Sequence, residues 1–235
     1  MEQTSTAEHA QKGLSLSATR ERKLLWGTET WLVEEPLLVK CIAPEQNLSV
    51  QVHPGEASVG RTGGRPKTEA WGVVHDGTIY AGFREGVTRG QVAAAANSAA
   101  LVDLLVRHEA RAGEIYFIPA GLVHALGAGV SVFEVQQPSD TSFRLYDWDR
   151  TGPDGRPREL QIAEALEAID LSLGAPVAAS HIDNQFFSLC VAEEGSPFQA
   201  VSQCFSFGIA SKSFAAHPAG DEFVLAERSF VAMAK

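Results

Sequence analysis

Short runs of alternating apolar and polar residues recur along this chain, and they constrain its fold more than any other feature. In the segment LSVQVHP (48–54) every second residue is apolar, which is the period of a strand with one apolar and one polar face. Similar runs fill residues 36–85, 113–149 and 184–235. Many of them end at one of the 21 glycines or 11 prolines, which favour turns. The pattern predicts a mainly β protein built around a central barrel or sandwich.

Two stretches have a helical pattern instead. Residues 88–108 are rich in alanine and leucine, with Thr88 and Ser98 as candidate N-caps, and predict one or two short helices. Residues 159–171 predict a further helix with an apolar side. The expected organisation is a flexible N-terminal segment at 1–20, a first domain at 21–158 with a helical insert at 88–108, and a linker helix with a second, smaller β unit at 159–235.

The composition argues against several classes of partner. The net charge of −10 repels phosphate backbones and anionic lipid, so neither nucleic acid nor a membrane is expected. No run approaches the roughly 20 apolar residues that cross a bilayer, and the polar residues 1–13 lack the apolar core of a signal peptide. The three cysteines form neither a CxxC motif nor a disulfide framework. We therefore expect a reducing, cytoplasmic setting.

Four residues on separate β segments form a set suited to a divalent metal. Gln51 and His53 share one strand face, Glu69 follows a glycine-rich loop, and His124 follows a proline–glycine turn. Taken singly, each is more often an ordinary solvated or hydrogen-bonded side chain. Together they offer two imidazoles, a carboxylate and an amide oxygen, without a nearby cysteine for a closed thiolate site. A mixed site with room for water or substrate is typical of a catalytic metal.

The segment VFEVQQPSDTSFRLYDWDR (132–150) is a second polar feature. Glu134 and Gln136 share one strand face, and Arg144 and Arg150 share another. A simple interpretation is a ladder of cross-strand ion pairs. The density of charged, amide and hydroxyl groups also suits a polar turn at the rim of a barrel.

These motifs resemble those of the cupins. The spacing G-x5-P-x-G-x2-H, from Gly113 to His124, resembles the second cupin motif, although Ala128 stands where asparagine is usual. The first cupin motif has an altered form here, with Gln51 and His53 in place of a His-x-His pair.

That alteration is similar to the one in type I phosphomannose isomerases, also called mannose-6-phosphate isomerases. The segments LSVQVHP, KTEAW, IPAGLVHALG and VFEVQQPSDTSFRLYDWDR resemble that family's signatures and occur in the same order. The resemblance is strong over residues 36–171 and weak over 180–235. It implies a cupin (jelly-roll) β-barrel with a few flanking helices, in which 21–158 is the metal-binding catalytic domain and 159–235 contains a degenerate cupin-like unit.

The resemblance also implies an activity and a cofactor. The protein would be a zinc-dependent aldose–ketose isomerase that interconverts mannose 6-phosphate and fructose 6-phosphate through a cis-enediol. One zinc ion per chain would be held by four ligands: Gln51, His53, Glu69 and His124. The partner would be a small sugar phosphate, and the chain would be a monomer or a homodimer.

Roles for four further residues follow from the same resemblance. Arg144 would be the catalytic arginine and would bind substrate, Lys67 would line the sugar or phosphate site, and Glu134 and Asp140 would be candidate acid/base groups. The general base stays open among a zinc-bound water, Glu134, Asp140 and a desolvated Lys67.

The phosphate needs a local positive field on an acidic protein. Lys67, Arg61 and Arg65 could supply it, although a solvated loop is the more ordinary setting for the two arginines. Two alternatives to the isomerase remain: a non-catalytic, metal-holding cupin that binds sugar phosphates, and a different cupin enzyme such as an iron oxygenase. The glutamine ligand and the SDTSFR segment argue against the oxygenase.

Overall fold

The computed structural model describes residues 20–235, which form eighteen strands and four helices. Apart from its last residue, the segment expected to be flexible (1–20) lies outside the described residues. The strands of the first part are β1 (Arg20–Leu24), β2 (Gly27–Val33), β3 (Leu38–Pro44), β4 (Val50–Val52), β5 (Glu69–His75), β6 (Gly77–Phe83), β7 (Leu105–Ala110), β8 (Ile115–Ile118), β9 (His124–Leu126), β10 (Ser131–Gln136) and β11 (Phe143–Tyr146).

The remaining elements complete the chain. The later strands are β12 (His181–Asp183), β13 (Phe187–Ala192), β14 (Pro197–Gln199), β15 (Cys204–Gly208), β16 (Phe214–His217), β17 (Glu222–Val224) and β18 (Ser229–Ala234). The helices are α1 (Glu56–Thr62), α2 (Arg89–Ala95), α3 (Ala100–Asp103) and α4 (Ile162–Ala168).

Three antiparallel sheets form the body of the protein. The first has the strand order β1-β2-β3-β10-β5-β8, and the second has the order β11-β4-β9-β6-β7. These two sheets pack face to face through a shared apolar cluster that includes Trp71 and Ile118 from one and Ile79 and Leu126 from the other. The third sheet, β12-β13-β18-β15-β16, covers the outer face of the first. The prediction of a mainly β protein is confirmed.

Strand β10 of the first sheet faces the second sheet on one side and the third sheet on the other. Phe133 and Val135 belong to the cluster that packs on the third sheet, while Glu134 lies between them and points the other way. The Phe133 ring stacks on Phe207 and Phe230 of the third sheet, at centroid distances of 4.9 and 6.1 Å. The strand is therefore buried on both faces, with one face apolar and one polar.

The helical insert is shorter than the sequence predicts. Helix α3 ends at Asp103, and the predicted helical segment 88–108 runs on into strand β7. The reason is the register of β7 with β6, in which Thr78 lies opposite Glu109 and Tyr80 opposite Arg107. Cross-strand hydrogen bonds there override the local helical preference.

Only one of the two candidate N-caps has that role. Thr88 caps α2, because its hydroxyl accepts a hydrogen bond from the backbone N–H of Gln91. Ser98 does not cap α3; its hydroxyl donates instead to the carbonyl of Ala95 in the preceding turn, 2.7 Å away. That local bond competes with a capping geometry.

The C-terminal part carries the predicted linker helix and second β unit. Helix α4 occupies the middle of the predicted 159–171 segment, and the third sheet follows it. The short pair β14–β17 packs Phe198 on Phe223 beside that sheet. The domain boundary after residue 158 stays a prediction, since the third sheet shares its apolar core with the first. Within residues 20–235, no helix has both the length and the apolar character to cross a membrane.

Candidate metal centre

Two rows of cross-strand neighbours carry the polar side chains inside the barrel. In antiparallel sheets, directly opposed residues lie about 4.5–5.5 Å apart and project to the same face. The row in the second sheet is Arg144, Gln51 and His124, on β11, β4 and β9. The row in the first sheet is Lys40, Glu134 and Trp71, on β3, β10 and β5. Register alone thus gathers residues that are far apart in sequence.

Three of the predicted metal ligands form a compact buried cluster. His53 Nε2 lies 3.3 Å from Glu69 Oε2, and His124 Nε2 lies 3.5 Å from Glu69 Oε1. One ligand atom from each of the three residues lies within 4.8 Å of the other two. All three side chains are buried, and neither His53 Nε2 nor either Glu69 oxygen has a hydrogen-bond partner. Buried polar atoms are nearly always satisfied, so these orphaned atoms fit the donor set of an ion.

The other nitrogen of each imidazole is already engaged. His53 Nδ1 lies 2.9 Å from the carbonyl oxygen of Thr141, and His124 Nδ1 lies 2.9 Å from that of Leu122. A carbonyl only accepts, so both Nδ1 atoms carry the proton and donate it. Both Nε2 lone pairs then face Glu69. Metal-binding histidines usually donate their other ring N–H to a carbonyl or carboxylate in this way.

The charge states of the cluster also suit a cation. Burial lowers the pKa of His53 to about 3 and lowers that of His124 as well, so both rings are neutral. Burial would raise the pKa of Glu69, but the charge of Lys67, with smaller contributions from the adjacent His53 and His124, holds it well below its usual range. Lys67 Nζ lies 2.9 Å from Glu69 Oε2 and forms an ion pair with it, but the two groups are not aligned for a hydrogen bond. The site is a carboxylate with two neutral imidazoles.

The turn before His124 fixes its position. Gly121 has a φ of +90°, a conformation that glycine adopts at little cost. Its N–H donates to the carbonyl of His53, 2.9 Å away, and the Leu122 N–H donates to the carbonyl of Pro119. The predicted proline–glycine turn therefore ties two ligand segments directly together.

Gln51 lies beside the cluster. Its amide nitrogen is 3.5 Å from His124 Nε2, and its amide oxygen accepts a long hydrogen bond of 3.5 Å from Ser49. A half-turn of the amide exchanges the two atoms and turns the oxygen toward His124. Gln51 as a fourth ligand stays a prediction.

A cavity of about 260 Å³ opens beside the cluster. Of the predicted ligands, Gln51 lines it. The sequence-predicted catalytic and substrate-binding residues also all line it: Lys67, Glu134, Asp140 and Arg144. The geometry therefore brings the metal-site residues and the acid/base candidates to one place.

A buried charge network stands behind Glu134. Lys40 Nζ lies 3.3 Å from Glu134 Oε1 and 3.2 Å from Glu29 Oε1, and all three line the cavity. The indole N–H of Trp71 donates to Glu134 Oε2 at 3.0 Å. Burial and the charge of Glu69 raise the pKa of Glu134, while Lys40 opposes that shift. A carboxyl with a raised pKa beside a cavity has the properties of a general base or acid.

Asp140 has a different environment from Glu134. Its side chain is 59% exposed, and it pairs with Arg22 at 3.5 Å. Sequence reasoning did not single out Arg22, Glu29 or Lys40. A lysine inside the apolar run PLLVKCIAP is the one local signal for such a network.

Of the three residues considered for the positive field, Arg61 and Arg65 have the solvated setting instead. Arg61 and Arg65 are exposed and do not line the cavity, and Arg61 pairs instead with Glu167 on α4 at 2.9 Å. The reason is helix α1, which begins directly after Gly55 within the loop and directs Arg61 outward. The arginines that do line the cavity are Arg22, Arg144 and Arg158.

Part of the chain is similar in sequence to curated proteins, and its fold is similar to solved structures. No family model matches the chain. The mannose-6-phosphate isomerase ManA of Bacillus subtilis is 36% identical over 141 residues, which is 58% of this chain and 44% of the relative. The mannose-6-phosphate isomerase of Streptococcus mutans is 34% identical over 148 residues, or 62% of this chain and 46% of the relative. The chain thus spans slightly less than half the length of these curated relatives.

The fold agrees with the sequence comparison. The crystal structure of the mannose 6-phosphate isomerase from Bacillus subtilis superposes with a TM-score of 0.65 and 20% identity, covering 88% of this chain and 89% of that one. The chain has the cupin fold of the mannose-6-phosphate isomerases. A zinc-bound holo structure of a mannose 6-phosphate isomerase gives a TM-score of 0.59 and 14% identity over 85% of this chain and 79% of that one. The expected fold and the expected resemblance are confirmed.

Proposed function

We propose that this protein is a zinc-dependent aldose–ketose isomerase that interconverts mannose 6-phosphate and fructose 6-phosphate. The observation that carries the proposal is the buried cluster of His53, Glu69 and His124 beside a cavity that also contains Glu134 and Arg144. Curated relatives that share 34–36% identity are named for this reaction. Zinc suits two imidazole nitrogens and a carboxylate, with the Gln51 amide oxygen as a further ligand.

The reaction moves a proton between C1 and C2 of the open-chain sugar through a cis-enediol. We assign the base to Glu134, because it is buried, lines the cavity and has a raised pKa. Lys40 and Trp71 hold one carboxylate oxygen each, which fixes the direction of the group. Asp140 is a weaker candidate, since water and Arg22 both reach its carboxylate.

Charge develops on the sugar carbonyl oxygen as the enediol forms. When bound at the cluster, zinc supplies a Lewis acid for that oxygen. Arg144 is half-buried, lines the cavity opposite Gln51 and remains cationic, so it orients and stabilises the enediol oxygens. Lys67 lines the same cavity and offers ammonium protons to a sugar oxygen.

The setting and the partners belong to the same proposal. The three cysteines at 41, 190 and 204 are all free thiols, which suits the reducing cytoplasm. The partner is a small sugar phosphate, and the chain acts as a monomer or a homodimer without nucleic acid.

The deciding experiment is a coupled assay of zinc-loaded protein for fructose 6-phosphate formed from mannose 6-phosphate. Arg144→Ala should retain its zinc and lose turnover, whereas Arg61→Ala, which changes an exposed arginine outside the cavity, should retain both. Zinc content by atomic emission separates these cases. Turnover that is absent in the parent protein, with sugar phosphate still bound, would favour the non-catalytic binding cupin instead.

The metal assignment has its own test. His53→Ala should lose zinc because it removes one of the two imidazole ligands. His181→Ala, which changes an exposed histidine in the third sheet, should keep it. Full zinc retention by the His53 variant would count against the site.

A further inference from the structure

A cluster of arginines lies at one end of the cavity, where Arg144 and Arg158 line it. Arg150 and Arg158 contact the buried carboxylate of Asp147, and Arg144 lies near enough to interact electrostatically with Arg158 and Asp147. Arg158 makes a two-pronged contact with it, in which Nε donates to Oδ2 at 2.6 Å and Nη2 donates to Oδ1. Arg150 Nη2 donates to the same Oδ1 at 2.5 Å. Two guanidinium groups therefore share the single negative charge of Asp147.

The turn that carries Asp147 is held in an unusual backbone conformation. Trp148 and Asp149 have φ values of +58° and +54°, which are uncommon for residues other than glycine. Contacts on both sides fix them: the Trp148 indole donates to the carbonyl of Leu48 at 2.5 Å, and the Tyr146 hydroxyl donates to Asp149 at 2.9 Å. A conformation fixed in this way keeps Asp147, and therefore the Arg158 guanidinium, in one place.

The other cations of the cavity are already balanced by carboxylates. Lys67 pairs with Glu69, and Lys40 lies between Glu29 and Glu134. Arg22 likewise lies 3.5 Å from both Glu29 and Asp140. These groups offer an incoming anion little uncompensated charge.

Arg144 and Arg158 are less fully compensated, because Arg158 shares Asp147 with Arg150 and Arg144 forms no ion pair with a described residue. Both line the cavity, and Arg144 Nε is buried without a hydrogen-bond partner. The Arg158 side chain is 24% exposed, so an incoming group can reach it. Guanidinium groups suit phosphate because their planar fork donates two parallel hydrogen bonds.

We propose that Arg158 binds substrate: it takes the phosphate group of a sugar phosphate, while Asp147 holds its guanidinium at the cavity and Arg144 contacts the reacting end of the sugar. This inference rests on the proposed function for the identity of the sugar. Arg144 neighbours Gln51 in the strand register and so lies on the metal side, whereas Arg158 follows the turn after β11. The sugar then lies with its reacting carbons toward the metal centre and its phosphate toward Arg158.

The kinetic test compares Arg158→Gln with Arg61→Gln in zinc-loaded protein. Arg158→Gln should raise the KM for mannose 6-phosphate by about tenfold to a hundredfold, the cost of losing hydrogen bonds to a charged group. Its kcat should stay within about threefold, because the lost contact is made equally in the ground and transition states. Arg61→Gln should change neither parameter. A folded Arg158→Gln variant with unchanged KM would overturn the proposal.

A binding measurement keeps the inference separate from the proposed function. Inorganic phosphate titrated into each zinc-loaded protein and followed by phosphorus NMR should bind the parent and Arg61→Gln alike, and Arg158→Gln more weakly. This readout decides the inference even if the parent shows no isomerisation, which would sink the proposed function alone. If Arg158→Gln does not fold, Arg158→Lys replaces it in both tests, since it keeps the charge and loses the fork. Weaker phosphate binding by that variant supports the proposal, and unchanged binding overturns it.

Discussion

Both faces of the first sheet are buried, but the face toward the second sheet carries charged side chains beside its apolar cluster, whereas the opposite face of β3, β5 and β10 is apolar. Toward the second sheet, strands β3, β5 and β10 present Lys40, Glu69 and Glu134. Toward the third sheet, the alternate positions of the same strands present an apolar surface that includes Phe133 and Ala70. The period of two in a strand makes this separation possible. One set of strands thus forms the wall of a polar cavity and the wall of an apolar core.

The difference shows which face stabilises the fold. Burying an ion costs several kcal/mol even after relaxation, and a buried pair recovers that cost only with good geometry. Full burial of an aromatic or aliphatic side chain contributes about 1.5–3 kcal/mol. Four phenylalanines of the third sheet are buried against the first: Phe187, Phe205, Phe207 and Phe230. We infer that the third sheet offsets the cost of the charged cavity.

The largest expected effect is on the polar face. Glu134→Gln should lower kcat by about a hundredfold to ten-thousandfold, the usual contribution of a general base, while zinc content and melting temperature stay near those of the parent. Glu85→Gln, a change at an exposed glutamate outside the cavity, serves as the control. Steady-state assays and thermal unfolding of both variants check this. A Glu134 variant with near-parental kcat would show that the base lies elsewhere.

Next is the apolar face. Phe230→Ala should lower the free energy of unfolding by about 3–5 kcal/mol, the cost of a buried phenylalanine deleted to a cavity, and leave the zinc content of the folded protein unchanged. Phe198→Ala, on the peripheral β14–β17 pair, should cost less because that side chain is only half-buried. Urea unfolding with zinc analysis checks both. Loss of zinc from folded Phe230→Ala would show that the apolar face and the metal centre are not independent.

A smaller effect is expected from overpacking the same contact. A Cβ on Gly72 would lie 2.8 Å from the ring of Phe230, so Gly72→Ala should cost about 1–3 kcal/mol. Combined with Phe230→Ala, the substitution should cost much less, because the ring it strikes is gone. A double-mutant cycle from unfolding curves measures the coupling. Simple additivity would mean that the two residues do not meet.

The smallest effect concerns the histidine of the third sheet. Burial lowers the pKa of His217 below its ordinary value near 6.5, although Asp221 opposes the shift. Below about pH 6.5 the unfolded chain takes up a proton that the folded chain refuses, so stability falls as the pH drops through that range. His217→Gln removes the titrating group, so the unfolding free energy of this variant should fall less between pH 7 and 5 than that of the parent. Parallel pH profiles would contradict the prediction.

The strands with their own alternation could be predicted from sequence, and so could the ligand types. His53, Glu69 and His124 stand out because each adjoins a strand or a tight turn, and the structure brings them together. Strand β1 could not be predicted in this way, since RERKL has almost no apolar face. Its place depends on pairing with β2 and on the Arg20 guanidinium stacked 4.0 Å over the ring of Trp31.

The charge networks also lie beyond local pattern. Lys40 meets Glu134 only because β3 and β10 pair in one particular register, across 94 residues of sequence. Arg158 likewise meets Asp147 only through the turn that separates them. In both cases the partner is set by tertiary structure, which a run of residue types does not contain.

The double-faced β10 has a consequence for shortened forms of the protein. A product cleaved between α4 and β12 would keep every residue of the metal centre and cavity. It would also expose Phe133, Val135 and their neighbours to water as one continuous apolar surface. Such a fragment should self-associate, so proteolysis in that connection would remove the protein from solution while leaving its metal-site residues intact.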